Sequence, residues 1–174
     1  MRGHGRPRGP LDAWRHAPSL PDVDLDALAD LGIRCVLLDR DNTCVPRDTR
    51  VAPPEVMAWL ESARERGMSL CLVTNNFHTA QIVSSARELG CDVVHHAMKP
   101  APFALSHALV RAGVPAEQAV LIGDQVFTDV AAGNLAGVRT ILVRPQSTTD
   151  LWYTHVFRLF EGPFLEGEPL GKAR

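Results

Sequence analysis

Gly32, Gly67, Gly90, Gly113 and Gly137 each close a stretch of helical apolar periodicity. All but Gly113 lead almost directly into a short apolar run, and after Gly113 a turn at Pro115 intervenes. Glycine just past a helix takes the left-handed conformation cheaply. Helices and strands that alternate through such short links need parallel strands, with crossover helices on both faces of one sheet. Right-handed crossovers restrict the topology further. The expected fold is α/β: a three-layer, Rossmann-like arrangement with a five-stranded parallel sheet in the order 3-2-1-4-5, its first strand central.

The elements can be placed in order. A short helix is expected over residues 25–31 and the central strand over 33–39. A loop over 40–52 leads to Pro53-Pro54, which suits a helix start. Val56, Trp59, Leu60 and Ala63 then recur at i, i+3, i+4 and i+7, one apolar helical stripe. The second strand, 68–73, ends in Thr74-Asn75-Asn76. A helix over 78–89 carries Ile82, Val83, Ala86 and Leu89 on one face, and a third strand runs near 92–94. Lys99-Pro100 opens the next helix, with Leu105, Ala108, Leu109 and Ala112 inward. The fourth strand is 119–122, the following helix ends near 136, and the fifth strand is 138–143.

Residues 1–18 carry Arg2, Arg6, Arg8 and Arg15 among repeated Gly and Pro, and read as a flexible basic tail. Such a tail is either merely solvated or touches acidic lipid head groups. A single domain is expected over 19–161, with a loose C-terminal tail over 162–174. The last helix, 151–160, carries Trp152, Val156, Leu159 and Phe160 on one stripe, with Phe164 just beyond. That stripe reads first as core; its other uses are a dimer contact or a face resting on a membrane.

Net charge is −2 and apolar content 45% over 174 residues, ordinary for a soluble globular chain. No apolar run approaches the roughly 20 residues that span a bilayer. The N-terminus has no apolar h-region of a secretory signal. The cysteines at 35, 44, 71 and 91 form no Cys-x-x-Cys pair, which argues against structural zinc and suits a reducing cytoplasm. No aromatic-rich basic surface points to a nucleic-acid partner.

The chemistry gathers at one edge. Side chains at i and i+2 of a strand point the same way, so Asp39 and Asp41 emerge together at the carboxyl end of the central strand. In open α/β sheets that edge binds ligands. Thr74 and Asn75 follow strand two, Lys99 follows strand three, and Asp124 and Asp129 follow strand four. Alone, each has a plain structural explanation: a turn for Asp39-x-Asp41 or Asp124, a helix cap for Thr74, a surface lysine for Lys99. Together they fit phosphoryl transfer. Lys99, Thr74 and main-chain N–H groups near Asn75 suit a phosphate dianion. Asp39, Asp41 and Asp124 offer the oxygen ligands that Mg²⁺ prefers. Asp39 can attack phosphorus to form an aspartyl phosphate, and Asp41 can protonate the leaving oxygen and later deprotonate water.

Asp39-Arg40-Asp41-Asn42-Thr43, Thr74, Lys99-Pro100, and Gly123-Asp124 with Asp129 resemble the four motifs of the haloacid dehalogenase (HAD) superfamily. Thr74-Asn75-Asn76 and Leu142-Val143-Arg144-Pro145 look like its subfamily IIIA, the YqeG-type branch, which is similar to the mitochondrial phosphatidylglycerophosphate phosphatases. The resemblance spans about residues 18–161. It implies Asp39 as nucleophile and metal ligand, Asp41 as acid and base that also offers its main-chain carbonyl to Mg²⁺, and Asp124 as metal ligand. Thr74, Asn75 and Lys99 would bind phosphate, Asp129 would support the metal shell through water or Lys99, and Thr43 would hold the loop that aims Asp41. The implied substrate is a phosphorylated small molecule or a lipid head group. The lipid version places the protein in the cytoplasm with peripheral contact at the inner membrane face.

Two positions depart from the common pattern. Arg40 stands where an apolar residue is usual; by strand alternation it is expected to point away from the carboxylates. Cys44 stands where an aliphatic residue is common and reads as packing. His95-His96 reads as structural, since neighbours on a strand face opposite ways. The spans 43–74 and 74–99 leave room for single crossovers only, so no cap domain is expected and the site is open. An open site favours a hydrolase over a phosphomutase. The alternatives are a phosphatase for a small soluble sugar or nucleotide phosphate, a non-catalytic scaffold, and a receiver-type phosphate-binding domain. The last would put its accepting aspartate after strand three, where this chain has none.

Overall fold

The structure, a computed structural model, describes residues 9–147 and 168–169. Its elements are β1 (Arg15–Ala17), α1 (Leu25–Asp30), β2 (Cys35–Leu38), α2 (Pro54–Glu65), β3 (Ser69–Val73), α3 (Thr79–Leu89), β4 (Asp92–Val94), α4 (Phe103–Ala112), β5 (Ala119–Gly123), α5 (Ala131–Ala136), β6 (Arg139–Val143) and β7 (Glu168–Pro169). A π-helical turn, Val126–Val130, runs into α5.

All strand pairings are parallel. The sheet is seven-stranded, in the order β4-β3-β2-β5-β6-β1-β7. This corrects the expected five strands and hence the full order. The added strands sit together at one edge, beyond β6. Neither reads as a strand in the sequence. Arg15-His16-Ala17 is three residues long with only Ala17 buried, and Glu168-Pro169 is two residues long, so neither shows an apolar run or a period.

The N-terminal boundary is corrected too. Residues 9–17, expected in a flexible tail, are anchored. β1 pairs with β6 from Arg15↔Ile141 to Ala17↔Val143. Trp14 is buried, and its main-chain N–H donates to Thr140 Oγ1 at 3.2 Å. Asn134 Nδ2 donates to Pro10 O and Asp12 O at 2.9 and 3.0 Å. The predicted helix over 151–160, with Trp152, Val156, Leu159 and Phe160, and Phe164 after it, lies outside the described residues.

The alternation of strand side chains builds the three layers. Val36, Leu38, Leu70, Leu72, Val120 and Ile122 face one way, against α1, α2 and α3 through Leu28, Trp59, Leu60 and Leu89. Cys35, Leu37, Cys71, Val73, Ala119 and Leu121 face the other way, against Leu105, Ala108 and Leu109 of α4 and Ala132 of α5. The stripe Val56, Trp59, Leu60 and Ala63 is the buried face of α2. Each fully buried leucine contributes about 2–3 kcal/mol, so a truncation such as Leu37→Ala would cost about 2–5 kcal/mol. Asp24 caps α1, its Oδ1 accepting from the N–H groups of Asp26 and Ala27 at 3.0 and 3.1 Å.

Between Thr43 and Thr74 the chain holds only α2 and β3, and between Thr74 and Lys99 only α3 and β4. No folded unit is inserted over the carboxyl edge of the sheet at either point.

Candidate active site

Every residue of β2 is buried, because the strand is central and covered on both faces. Its ladder continues one residue further, with Asp39 N donating to Ile122 O at 2.9 Å. The chain then leaves the sheet in a tight loop. Cys44 N and Val45 N both donate to Arg40 O, at 3.0 and 2.9 Å, and Asn42 N donates to Val45 O at 2.8 Å. Asn42 takes a positive φ of 63°, a conformation that Asn tolerates better than most residues. Asp39 is thereby held rigidly at the sheet edge.

Lys99 meets Asp39 there. The Lys99 ammonium donates to Asp39 Oδ1 and to Asp129 Oδ1, each at 2.6 Å, and all three residues are buried. Asp129 Oδ2 accepts from Gln125 N at 3.1 Å. Lys99 was expected at a helix start; it lies instead in the turn before α4, which begins only at Phe103. Asn75 fixes that turn, its Nδ2 donating to Lys99 O at 2.9 Å and its Oδ1 accepting from Lys99 N at 2.7 Å. Gly123 allows Asp129 to approach β5, since a Cβ there would overlap the Asp129 carboxylate.

Asp39, Asp124 and Asp129 each present an oxygen within 4.8 Å of the others. Asp124 is buried and its Oδ1 has no hydrogen-bond partner among the described residues. Three buried carboxylates gather here and the Lys99 ammonium pairs with only two of them, Asp39 and Asp129, so the cluster is short of positive charge. Burial, together with Asp129 and Asp41 and against the pull of Lys99, pushes the Asp39 carboxyl up to about 7. Burial, with Asp39 and Asp129, pushes Asp124 up to about 8. Burial disfavours the charged Lys99, but Asp129 and Asp39 outweigh it and hold the ammonium above its usual range. An all-oxygen donor set with an orphaned carboxylate oxygen fits a hard divalent cation.

Asp41 stands apart from this acidic group. Its Oδ1 pairs with Arg40 Nη1, and its Oδ2 accepts from Asn76 Nδ2 at 3.4 Å. The expectation that Arg40 turns away from the carboxylates is therefore corrected. Arg40 does turn from Asp39, but its long side chain curls back to Asp41. Thr74 is buried, and its Oγ1 accepts from Asn76 N at 3.2 Å. The Asn75 side chain is engaged with Lys99, so contact with a phosphate would fall to main-chain N–H groups. Thr43 Oγ1 is buried without a partner among the described residues. Its loop is held instead by Gln146, whose Nε2 donates to Thr43 O at 2.8 Å and whose N–H donates to Asn42 O at 3.0 Å.

Gln146 was missed in the sequence because an amide carries no signature of chemistry, although it too follows a strand at the carboxyl edge. Ser85, buried on α3 and bonded to Arg40, was missed because a serine on an apolar stripe looks like a defect in it. The Cys44 thiol donates to Asp39 O at 3.3 Å, and burial raises it well above the thiol range. It is a packing group. His95 and His96 are exposed and belong to no metal-binding group among the described residues.

With this geometry in place, the chain can be compared with known proteins. The HAD-hydrolase-like family model matches residues 96–156. The probable phosphatase YqeG of Bacillus subtilis is 32% identical over 136 residues, 78% of each chain. The chloroplastic phosphatidylglycerophosphate phosphatase 1 of Chlamydomonas reinhardtii is 31% identical over 144 residues, 76% of this chain and 52% of that protein. The cobalt-bound deoxy-D-mannose-octulosonate 8-phosphate phosphatase of Haemophilus influenzae shares the fold, with a TM-score of 0.56 at 13% identity over 79% of this chain and 78% of that one. The chain belongs to the haloacid dehalogenase superfamily, in its YqeG-type phosphatase branch. It is a phosphatase with a Rossmann-like α/β sheet.

Proposed function

We propose that the chain is a Mg²⁺-dependent phosphomonoester phosphatase that works through an aspartyl phosphate on Asp39, and that its substrate is phosphatidylglycerophosphate. One observation carries the reaction: the Lys99 ammonium stands 2.6 Å from both Asp39 and Asp129, beside the unpartnered oxygen of Asp124. Asp39, Asp124 and the Asp41 main-chain carbonyl would hold Mg²⁺, with Asp129 close enough to join through its carboxylate or a water. The ion would neutralise the repulsion between the attacking carboxylate and the phosphoryl oxygens.

The remaining steps fall to the protein's own side chains. An ammonium has three N–H donors; Lys99 gives one each to Asp39 and Asp129, which leaves one for a phosphoryl oxygen. The Thr74 hydroxyl accepts from Asn76 N and keeps its own proton to donate. An Asp39 oxygen attacks phosphorus while the bond to the leaving oxygen breaks, and Asp41 supplies the proton that oxygen needs. Asp41 then takes a proton from water, the water oxygen attacks the aspartyl phosphate, and Asp39 is released with inorganic phosphate.

Two observations support the lipid substrate. A relative bears that activity in its name. Large apolar side chains are also exposed within a few residues of the site: Phe77 after Asn76, Met98 before Lys99, Phe103 at the start of α4, and Phe127 after Gln125. No helix among the described residues is long and apolar enough to cross a membrane; the contact we propose is peripheral, at the cytoplasmic face. Phosphate release from phosphatidylglycerophosphate in anionic vesicles with Mg²⁺, with Asp39→Asn as blank, tests this reading. Turnover of soluble sugar or nucleotide phosphates without lipid turnover or vesicle binding would remove the lipid substrate and leave the phosphatase.

A further inference from the structure

We infer that Arg40 is a positioning residue for Asp41 and that Ser85 is its anchor. The inference rests on the reading of Asp41 as acid and base. Arg40 lies between the two motif aspartates, and its guanidinium is buried at the joint of the β2 loop and α3. Nε and Nη2 both donate to Ser85 Oγ, at 3.1 and 2.9 Å, while Nη1 pairs with Asp41 Oδ1. One side of the fork is thus pinned to the scaffold, and the other is presented to the carboxylate. A guanidinium is planar and always charged, so a fork fixed on one side fixes the direction of its remaining donor.

The second Asp41 oxygen is also tied. Asn76 Nδ2 reaches Oδ2, and Asn76 is itself set by bonds from its N–H to Thr74 Oγ1 at 3.2 Å and from His78 N to its Oδ1 at 2.9 Å. A carboxylate has about four lone-pair positions. Two are occupied by these partners, and the others remain for the proton that the leaving oxygen takes or for a bond donated by water. Stability alone is a weak reason for such a pair, because a buried guanidinium is costly to desolvate and an apolar residue often does as well. The arrangement is better matched to orientation: Asp41 is held from two elements, β2's loop and the loop before α3, while Asp39 is held by Lys99 from the other side.

The test is leaving-group dependence on the full chain with Mg²⁺. kcat/KM is measured for phenyl, 4-nitrophenyl and 2,4-dinitrophenyl phosphate, whose leaving oxygens need progressively less protonation. Asp41→Asn is the benchmark and should fall most on phenyl phosphate. Arg40→Gln should follow it, losing about 100-fold on phenyl phosphate, the scale of a misplaced proton donor, and less than about tenfold on the dinitrophenyl ester. Ser85→Ala should fall between wild type and Arg40→Gln. Arg40→Lys should recover part of the phenyl phosphate loss. Equal loss on all esters in a variant that still melts cooperatively would show structural damage and overturn the inference, as would no loss at all. If wild type turns over these esters and Asp41→Asn steepens the dependence while Arg40→Gln does not, the inference fails alone. If wild type turns over none of them, or Asp41→Asn shows no leaving-group dependence, the reading it rests on fails with it.

Discussion

Asn75 holds the backbone of Lys99 with both ends of its side-chain amide, Nδ2 to the carbonyl oxygen at 2.9 Å and Oδ1 to the N–H at 2.7 Å. The residue two positions past β3 thereby sets the position of a lysine in the turn between β4 and α4, and that lysine in turn sets Asp39 and Asp129. Asn75→Ala removes both bonds and should cost about 2 kcal/mol of stability. It should also lower kcat/KM about 100-fold through displacement of Lys99. Denaturant titration and steady-state kinetics check this; wild-type kinetics in the variant would show that Lys99 is placed without Asn75.

Asp39→Asn should reduce turnover to background while the protein still melts cooperatively, because the amide is nearly isosteric but a poor nucleophile. Asp41→Asn should lower steady-state turnover too, most on esters whose leaving group needs a proton, and should acquire label from a ³²P-phosphate ester whose leaving group needs none. Labelling of Asp39→Asn would place the nucleophile elsewhere.

The acidic cluster predicts a pH dependence with a definite sign. The folded carboxyls of Asp39 and Asp124 titrate near 7 and 8, against about 3.9 for an unfolded aspartate. Between those values the folded chain holds more protons than the unfolded one, so stability falls as pH rises. In chelator the melting temperature should therefore drop between roughly pH 4 and pH 8. Mg²⁺ should raise it and flatten the slope, since the ion replaces those protons. Asp124→Ala should blunt both effects. A Mg²⁺ response of full size in Asp124→Ala would remove Asp124 from the metal site.

Gly123→Ala places a methyl group where the Asp129 carboxylate lies. Overpacking of this kind costs about 1–3 kcal/mol. Its activity loss should exceed what that destabilisation explains, because Asp129 is displaced from Lys99. Thermal melts beside kcat/KM at a temperature where both proteins are folded separate the two effects.

Deletion of residues 1–18 should destabilise the protein clearly more than deletion of residues 1–8. The longer deletion removes β1 and its pairing with β6. It also removes the buried Trp14, a side chain whose loss costs about 3–5 kcal/mol. Equal melting temperatures for the two truncations would show that the N-terminal edge strand is dispensable. Vesicle-binding assays should use the shorter truncation, since the longer one disturbs the fold.

Much of the molecule was legible in the linear chain, for local reasons. The apolar stripe of α2, the buried run of β2 and the glycines at helix ends depend on neighbours within a few residues. The grouping of Asp39, Lys99, Asp124 and Asp129 followed from one topological rule, that successive parallel strands deliver their carboxyl ends to a common edge. Tertiary structure alone decided what no local pattern encodes. The β1 strand exists because β6 offers it an edge, not because Arg15-His16-Ala17 favours extension. No local pattern shows that the Asn75 side chain holds Lys99, since that partner lies 24 residues away. Arg40 leaves Asp39 as expected yet returns to Asp41, because strand alternation fixes only where a Cβ points. A long guanidinium stem then goes where Ser85, 45 residues on, supplies an acceptor. Side chains with several rotatable bonds choose among partners that only the folded chain brings within reach.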